Sequence, residues 1–251
     1  MKILIVCLTA AVLACQPDTN VDATPSESSD DNREAAGQVA RSGEQRDEGN
    51  TDTVDAARGK VTVLFFGTSL TAGYGLDPGQ AFPNLIARNA AADSLPITAI
   101  NAGLSGETSA GALRRISWTM QRPVDIVVLE TGGNDALRAL NADSLEANLS
   151  AIVLRIRGAQ PAARILLAVM EAPPNLGQTY TARFRRAYVE VARRNGLTLV
   201  PFLLDGVAGE AGFNQADGVH PNVRGEAIVA ANVWRVLRPV VEEVYRLRVR
   251  G

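Results

Sequence analysis

Five apolar runs of strand length alternate with longer amphipathic stretches through most of the chain. The runs lie at 61–66, 97–101, 124–129, 164–170 and 197–202, and each holds at most two polar residues. In most of them the apolar residues stand at consecutive positions rather than at every second one. Continuous apolar runs are typical of strands that are covered on both faces. Apolar residues at helical spacing predict helices at 80–92, 108–121, 144–158, 179–195 and 222–248.

This alternation predicts an α/β fold, in which a parallel sheet of about five strands lies between layers of helices. In sheets of this kind the ligand site forms beyond the carboxyl ends of the strands. Functional residues are therefore expected just after the apolar runs. Small and polar residues do follow them, at 67–69, 101–108, 130–135 and 217–222.

The first 15 residues differ from the rest of the chain. They combine Lys2, a long apolar stretch and Cys15, which predicts an export signal too short to span a bilayer. Residues 12–15, Val-Leu-Ala-Cys, resemble the bacterial lipobox. That resemblance implies cleavage before Cys15, a lipid on its thiol, and a location in the bacterial cell envelope on a membrane. An ordinary signal peptide with a stray cysteine is the alternative.

Residues 16–58 hold 11 acidic and 4 basic residues and few large apolar ones. Such a segment buries too little surface to offset the cost of ordering the chain, so it is predicted to be a disordered acidic tether. Residues 59–251 are then the folded domain. Both cysteines, Cys7 and Cys15, lie in the signal, so neither a disulfide nor a cysteine metal site is expected beyond it.

The charge balance of the domain argues against nucleic acid as a partner. Residues 59–251 contain 20 basic and 16 acidic residues, which is no strong basic surface. His220 is the only histidine of the chain. A single histidine excludes the histidine clusters that hold zinc or non-haem iron, and no metal or other cofactor is expected.

The surroundings of His220 point to catalysis. Asp217 precedes it by three residues in a glycine-containing turn, where a carboxylate can bond one ring nitrogen and leave the other facing outward. A base and the group that orients it form two thirds of a catalytic triad.

The nucleophile must come from another strand end, where Ser69, Ser105, Thr108 and Ser109 are candidates. Ser69 is favoured because it follows Gly67 at the first strand-to-helix turn. It is not part of a G-x-S-x-G elbow of the α/β-hydrolase type, since position 71 is Thr.

Four segments together resemble the SGNH (GDSL-type) hydrolase family: GTSLTAGYG at 67–75, NAGLSGETS at 101–109, GGNDALR at 132–138 and DGVHPN at 217–222. The bacterial thioesterase, arylesterase and lysophospholipase branch is the most similar. The resemblance implies a three-layer α/β/α, flavodoxin-like fold and a serine esterase that acts on small-molecule or lipid acyl esters. We also expect the enzyme to be a monomer.

Residue roles follow from the same resemblance. It implies that Ser69 is the nucleophile, His220 the general base and then acid, and Asp217 the group that orients His220. The oxyanion hole is assigned to the backbone N–H groups of Ser69 and Gly106 and to the side-chain amide of Asn134. Three uncharged donors of this kind can stabilise a tetrahedral oxyanion without a metal.

One position departs from the family pattern, and the substrate stays open. The family's Gly-Asp-Ser has Thr68 in place of Asp, which puts the setting of that turn in doubt. Leu137, Leu140 and residues 172–176 are candidates for an acyl groove. A carbohydrate O-deacetylase with the same triad and a non-catalytic envelope lipoprotein are the alternative functions.

Overall fold

The five apolar runs form one parallel sheet in the computed structural model, which describes residues 59–250. The strands are β1 Val61–Gly67, β2 Ile97–Gly103, β3 Ile126–Leu129, β4 Arg164–Ala168 and β5 Thr198–Val200. Their order is β2-β1-β3-β4-β5, and every neighbouring pair is parallel. The predicted α/β fold is confirmed. The predictions for residues 1–15, including Cys15, and for 16–58 lie outside the described residues.

The helices of residues 59–250 include all five that periodicity predicts. Their bounds are α1 Ser69–Ala72, α2 Phe82–Ala92, α3 Ser109–Thr119, α4 Gly133–Leu137, α5 Ala142–Ala159, α6 Gln178–Asn195 and α7 Val223–Arg250. Short 3₁₀ turns lie at Pro78–Gln80 and Pro174–Leu176. The sequence pattern did not predict α1 and α4, because helices of four or five residues show too little periodicity.

Packing places the sheet between two groups of helices. On one side α2 packs against α7, while α5 packs against both α3 and α6. The middle strands are almost wholly buried, which explains why their sequences are apolar at consecutive positions. Within residues 59–250, every helix is too short or too polar to cross a bilayer.

The strand order creates one natural place for a ligand. The chain runs from β1 outward to β2 and then returns to the other side of β1 with β3. A crevice opens where the strand order reverses, at the carboxyl end of β1. The turn after β1 carries Ser69.

Candidate active site

Ser69 lies at a tight junction between β1 and α1. Gly67 ends the strand, and a Cβ atom at this position would lie 2.0 Å from Thr71 Oγ1 and 2.5 Å from Glu130 Oε2. Only glycine fits so close to these side chains. The chain turns directly from β1 into α1. Ser69 faces a cleft, and 9% of the surface of this serine is exposed.

The buried carboxyl of Glu130 stabilises this junction through hydrogen bonds. Glu130 follows β3 and is fully buried. It accepts hydrogen bonds from the Thr68 backbone N–H at 2.7 Å, from Thr68 Oγ1 at 2.9 Å and from Thr71 Oγ1 at 2.9 Å. Burial raises the pKa of Glu130, while the donors from Thr68 and Thr71 lower it by less. Sequence reasoning missed this contact, although a charged residue directly after an apolar run was a usable signal.

Asp217 and His220 lie on a closed loop between β5 and α7. An antiparallel bridge joins Asn214 to Pro221, and Gln215 N–H donates to the His220 carbonyl at 2.7 Å. Asp217 Oδ1 accepts the backbone N–H of Val219 at 2.9 Å and that of His220 at 3.0 Å. The loop thus fixes the carboxylate beside the ring.

The imidazole of His220 bridges Asp217 and Ser69. Its Nδ1 lies 2.7 Å from Asp217 Oδ2, and its Nε2 lies 2.9 Å from Ser69 Oγ. The backbone N–H of His220, its ring and the backbone N–H of Val219 lower the pKa of Asp217 to about 2. Asp217 is therefore ionised at neutral pH. The Tyr74 ring packs on the imidazole at a centroid distance of 4.6 Å.

The three predicted oxyanion donors border the same cleft as Ser69 and His220. Gly106 has φ +77°, a left-handed backbone conformation that favours glycine. Asn134 Nδ2 donates one hydrogen bond to the Glu107 carbonyl at 3.0 Å, which leaves its second N–H for a ligand. No hydrogen bond within residues 59–250 uses the backbone N–H of Ser69 or Gly106.

The other nucleophile candidates have different surroundings. Ser109 is fully buried and donates to Asp135 Oδ1 at 2.5 Å. Thr108 caps α3 and accepts from the Gly111 N–H at 3.4 Å. Ser105 lines the cleft. Of the four candidates, Ser69 is the one whose hydroxyl lies within hydrogen-bond distance of His220.

Arg115 ties the two loops of the site together. Its guanidinium donates to the Gly67 carbonyl at 3.3 Å and to the Ala102 carbonyl at 3.0 Å, at the ends of β1 and β2. The same group pairs with Glu107 at 2.7 Å and stacks on Phe66, 4.1 Å from the ring centroid. These contacts fix the loop that carries Gly106 relative to the strand that leads to Ser69.

The cleft has a volume of about 250 Å³ and mainly apolar walls. Besides the residues above, its lining includes Leu70, Leu137, Met170, Pro173, Leu204 and Val219. Leu137 and Pro173 were candidates for an acyl groove and do line it, whereas Leu140 does not. Within residues 59–250, no three His, Cys, Asp or Glu side chains are grouped to hold a metal ion.

Comparison with known proteins identifies the family. Residues 65–228 match the sequence profile of the GDSL-like Lipase/Acylhydrolase family, which is most of the chain. The chain belongs to this family. It shares 37% identity over 182 residues with Esterase TesA of Pseudomonas aeruginosa, covering 72% of this chain and 89% of that protein.

A second relative and a solved structure agree with this assignment. Thioesterase 1/protease 1/lysophospholipase L1 of Escherichia coli is 31% identical over 181 residues, which cover 72% of this chain and 85% of that protein. A crystal structure of TesA superposes with a TM-score of 0.68 at 37% identity, covering 71% of this chain and 98% of the other. The matched region contains all five residues of the candidate site.

Proposed function

We propose that this chain is a serine esterase that hydrolyses carboxylic esters through an acyl-enzyme on Ser69. The observation that carries the proposal is the unbroken hydrogen-bonded series from Asp217 through His220 to Ser69 at the wall of an apolar cleft. Membership of the GDSL-like family and relatives named as esterase and thioesterase/lysophospholipase support it.

In the first half of the reaction, Ser69 Oγ attacks the carbonyl carbon of the ester. His220 Nε2, 2.9 Å from that oxygen, takes the hydroxyl proton, because a neutral imidazole is a base at neutral pH. Asp217 accepts a hydrogen bond from the Nδ1–H of His220 and stabilises the imidazolium that forms.

The tetrahedral intermediate carries its negative charge on the former carbonyl oxygen. The N–H groups of Ser69, Gly106 and Asn134 stabilise this charge as it develops. When the intermediate collapses, the bond to the alcohol oxygen breaks and the imidazolium returns its proton to that oxygen. A water molecule then attacks the acyl-enzyme by the same route and releases the acid.

The walls of the cleft favour an acyl group over a sugar. Leu137, Met170 and Leu204 offer apolar contacts. Burial of each methylene of an acyl chain against such walls contributes roughly 0.8 kcal/mol. We infer that the substrates are aryl and acyl esters, including lysophospholipids and acyl thioesters. Comparison with relatives favours neither the O-deacetylase nor the non-catalytic alternative.

A panel of substrates tests this function. The purified protein should hydrolyse nitrophenyl acetate, octanoate and palmitate and an octanoyl thioester faster than it releases acetate from acetylated xylan. Ser69→Ala should lower kcat by about 10³-fold or more and abolish labelling by a fluorophosphonate. Ser117→Ala, at an exposed serine on α3, is the control and should retain both. Turnover of none of these substrates by the wild-type protein would contradict the proposal.

We also propose where the enzyme acts. The export signal and the lipobox-like residues 12–15 support a lipid-anchored protein of the bacterial envelope, held through Cys15 and a tether at 16–58. We propose that the enzyme is a monomer, since one chain supplies the whole of the candidate site.

A further inference from the structure

Four large apolar side chains are exposed around the opening of the cleft. Tyr74 is 52% exposed, Leu104 49%, Leu137 57% and Val219 42%. Tyr74, Leu137 and Val219 line the cleft, whereas Leu104 lies outside it, in a neighbouring depression that shares Gly106 with the cleft. These four side chains are called the mouth face below. Clustered exposed apolar side chains of this kind indicate a contact surface.

Two exposed arginines border the mouth face. Arg114 and Arg138 line the depression that holds Leu104. Arg138 donates to the Gly106 carbonyl at 3.0 Å, and within residues 59–250 neither arginine forms a salt bridge. Glu107, the carboxylate in this depression, is already paired with Arg115. The depression that holds Leu104 therefore carries a net positive charge, from three arginines and one carboxylate.

We propose that the mouth face docks on a lipid bilayer whose surface carries anionic headgroups. Leucine, valine and tyrosine suit the boundary between headgroups and acyl chains, and arginines at their border pair with phosphate. Docking brings the cleft onto the surface from which a lipid ester must be withdrawn. The inference rests on the proposed esterase function, whose lipid substrates are found there.

The chain outside the described residues is long enough to permit this orientation. The domain begins with β1, so its N-terminus lies at the amino ends of the strands, on the opposite side of the sheet from the cleft. A lipid on Cys15 would hold the amino ends of the strands toward the membrane if the chain between Cys15 and β1 were short. A flexible coil as long as the tether predicted at 16–58 has an end-to-end distance of roughly 35 to 40 Å. This equals the diameter of a domain of about 190 residues, so the mouth face can turn to the bilayer.

An environment-sensitive fluorophore tests docking without relying on activity. No cysteine follows Cys15, so Leu104→Cys gives the protein one label position once Cys15 is lipidated and the signal removed, or once Cys7 and Cys15 are both replaced by serine. With vesicles of phosphatidylglycerol and phosphatidylcholine, the fluorescence emission of the label should shift to shorter wavelength. An aqueous quencher should then reduce that emission less than it does without vesicles. Vesicles of phosphatidylcholine alone should give a weaker response. The control is Leu154→Cys on α5, where the side chain is 64% exposed, and its label should stay in water.

Paired substrates test the consequence for catalysis. Leu104→Ser should reduce hydrolysis of an ester embedded in anionic vesicles by about tenfold, and Arg114→Gln by about fivefold. Neither variant should change kcat/KM for soluble nitrophenyl acetate. Leu154→Ser and Arg235→Gln, which remove an exposed leucine and an exposed arginine elsewhere, should change neither rate.

The outcomes separate docking from the esterase function. Activity on soluble ester with a Leu104 label that stays in water on every vesicle would overturn docking alone. A label that enters lipid on a protein that hydrolyses no ester would overturn the esterase function alone. Equal losses on soluble and embedded esters would make Leu104 a substrate contact and overturn docking. An emission shift that grows with protein concentration in the absence of vesicles would also overturn docking, because it would assign the mouth face to a second copy of the chain.

Discussion

At the scale of single residues, Thr68 explains how the chain tolerates a departure from the family pattern. Its backbone N–H and its hydroxyl both donate to Glu130, so the buried carboxyl still finds partners where the family has an aspartate. A hydroxyl adds no charge beside Glu130. The turn that carries Ser69 therefore depends on hydrogen bonds rather than on a second acidic group.

Restoring the family residue should make activity sensitive to alkaline pH. In Thr68→Asp, a second carboxyl faces Glu130, and the two must share one proton because adjacent buried charges repel. We expect the variant to fold and hydrolyse esters while that proton is held, and to lose activity as rising pH removes it. Profiles of kcat/KM against pH for the wild type, Thr68→Asp and the control Thr68→Ser provide the test. An inactive or unfolded Thr68→Asp at every pH would show that the turn is built differently.

Removal of the amide of Asn134 should affect the transition state more than substrate binding. Asn134→Ala is expected to lower kcat by about 10² to 10³ with a smaller change in KM, because the donor matters most once charge has developed. Asn232→Ala, which removes a remote amide bonded to the Asp205 carbonyl, is the control. An unchanged kcat in Asn134→Ala would remove this residue from the proposed mechanism.

At the scale of elements, Arg115 fixes the relative positions of the loops that follow β1 and β2. Because its guanidinium bonds the ends of β1 and β2 together, a lysine in its place keeps the charge but loses the fork of donors. We expect Arg115→Lys to lower kcat about tenfold with little change in KM, since the positions of the proposed donors shift while the cleft walls remain.

Chemical rescue distinguishes positioning by Arg115 from a general loss of stability. Added guanidinium at low concentration should restore part of the kcat of Arg115→Ala. The control is Arg155→Lys, which replaces an arginine that bonds the Leu113 carbonyl away from the cleft, and it should leave kcat unchanged. A variant Arg115→Lys with an unchanged kcat would show that Arg115 has no part in placing the donors.

Glu226 joins two helices and should make stability depend on pH. Its carboxyl on α7 accepts the Phe82 N–H at the start of α2, at 2.7 Å. Burial, with a smaller contribution from the charge of Glu130, raises the pKa of Glu226 to about 8 from an ordinary value of 4.5. The folded state thus holds a proton that the unfolded state releases. The resulting stabilisation is complete below pH 4.5 and is lost as pH rises to about 8.

Replacement of Glu226 by glutamine tests this sign. The glutamine side chain does not titrate and still offers an acceptor to the Phe82 N–H. Denaturant unfolding at pH 5, 7 and 9 should show the free energy of unfolding of the wild type falling relative to Glu226→Gln as pH rises. Glu243→Gln, at an exposed site on the same helix, is the control, and its free energy of unfolding should change with pH as that of the wild type does. A parallel curve for Glu226→Gln would contradict the raised pKa.

The sequence predicted the regular elements better than the contacts between them. Runs such as 61–66 and 124–129 lie in strands because burial on both faces requires apolar residues at consecutive positions. The helix α1 has only four residues, so no periodic pattern could reveal it. The predicted site residues do lie together, but Arg115 and Glu130 bond partners that are distant in sequence. The sequence pattern gives no signal for the contacts of Arg115, whereas the position of Glu130 directly after an apolar run was one.

At the scale of the whole molecule, attachment through Cys15 is a separate prediction. The mature chain should begin at a lipid-modified Cys15 and fractionate with membranes, because the apolar stretch before it has the pattern of an export signal. Cys15→Ser should block this modification, while Cys7→Ser should not. Mass spectrometry of the mature N-terminus decides between the outcomes. An unmodified Cys15 within the mature product would contradict lipidation.

The distance along the chain between Ser69 and His220 has a consequence for biosynthesis. The two side chains that meet at 2.9 Å are 151 residues apart in sequence. Synthesis therefore delivers the serine 151 residues before its base, and all five strands of the sheet described above are made before the pair can form. A chain that stops before His220, or is cut there, carries a serine without a base. Such an incomplete chain lacks the group that would take the proton of Ser69.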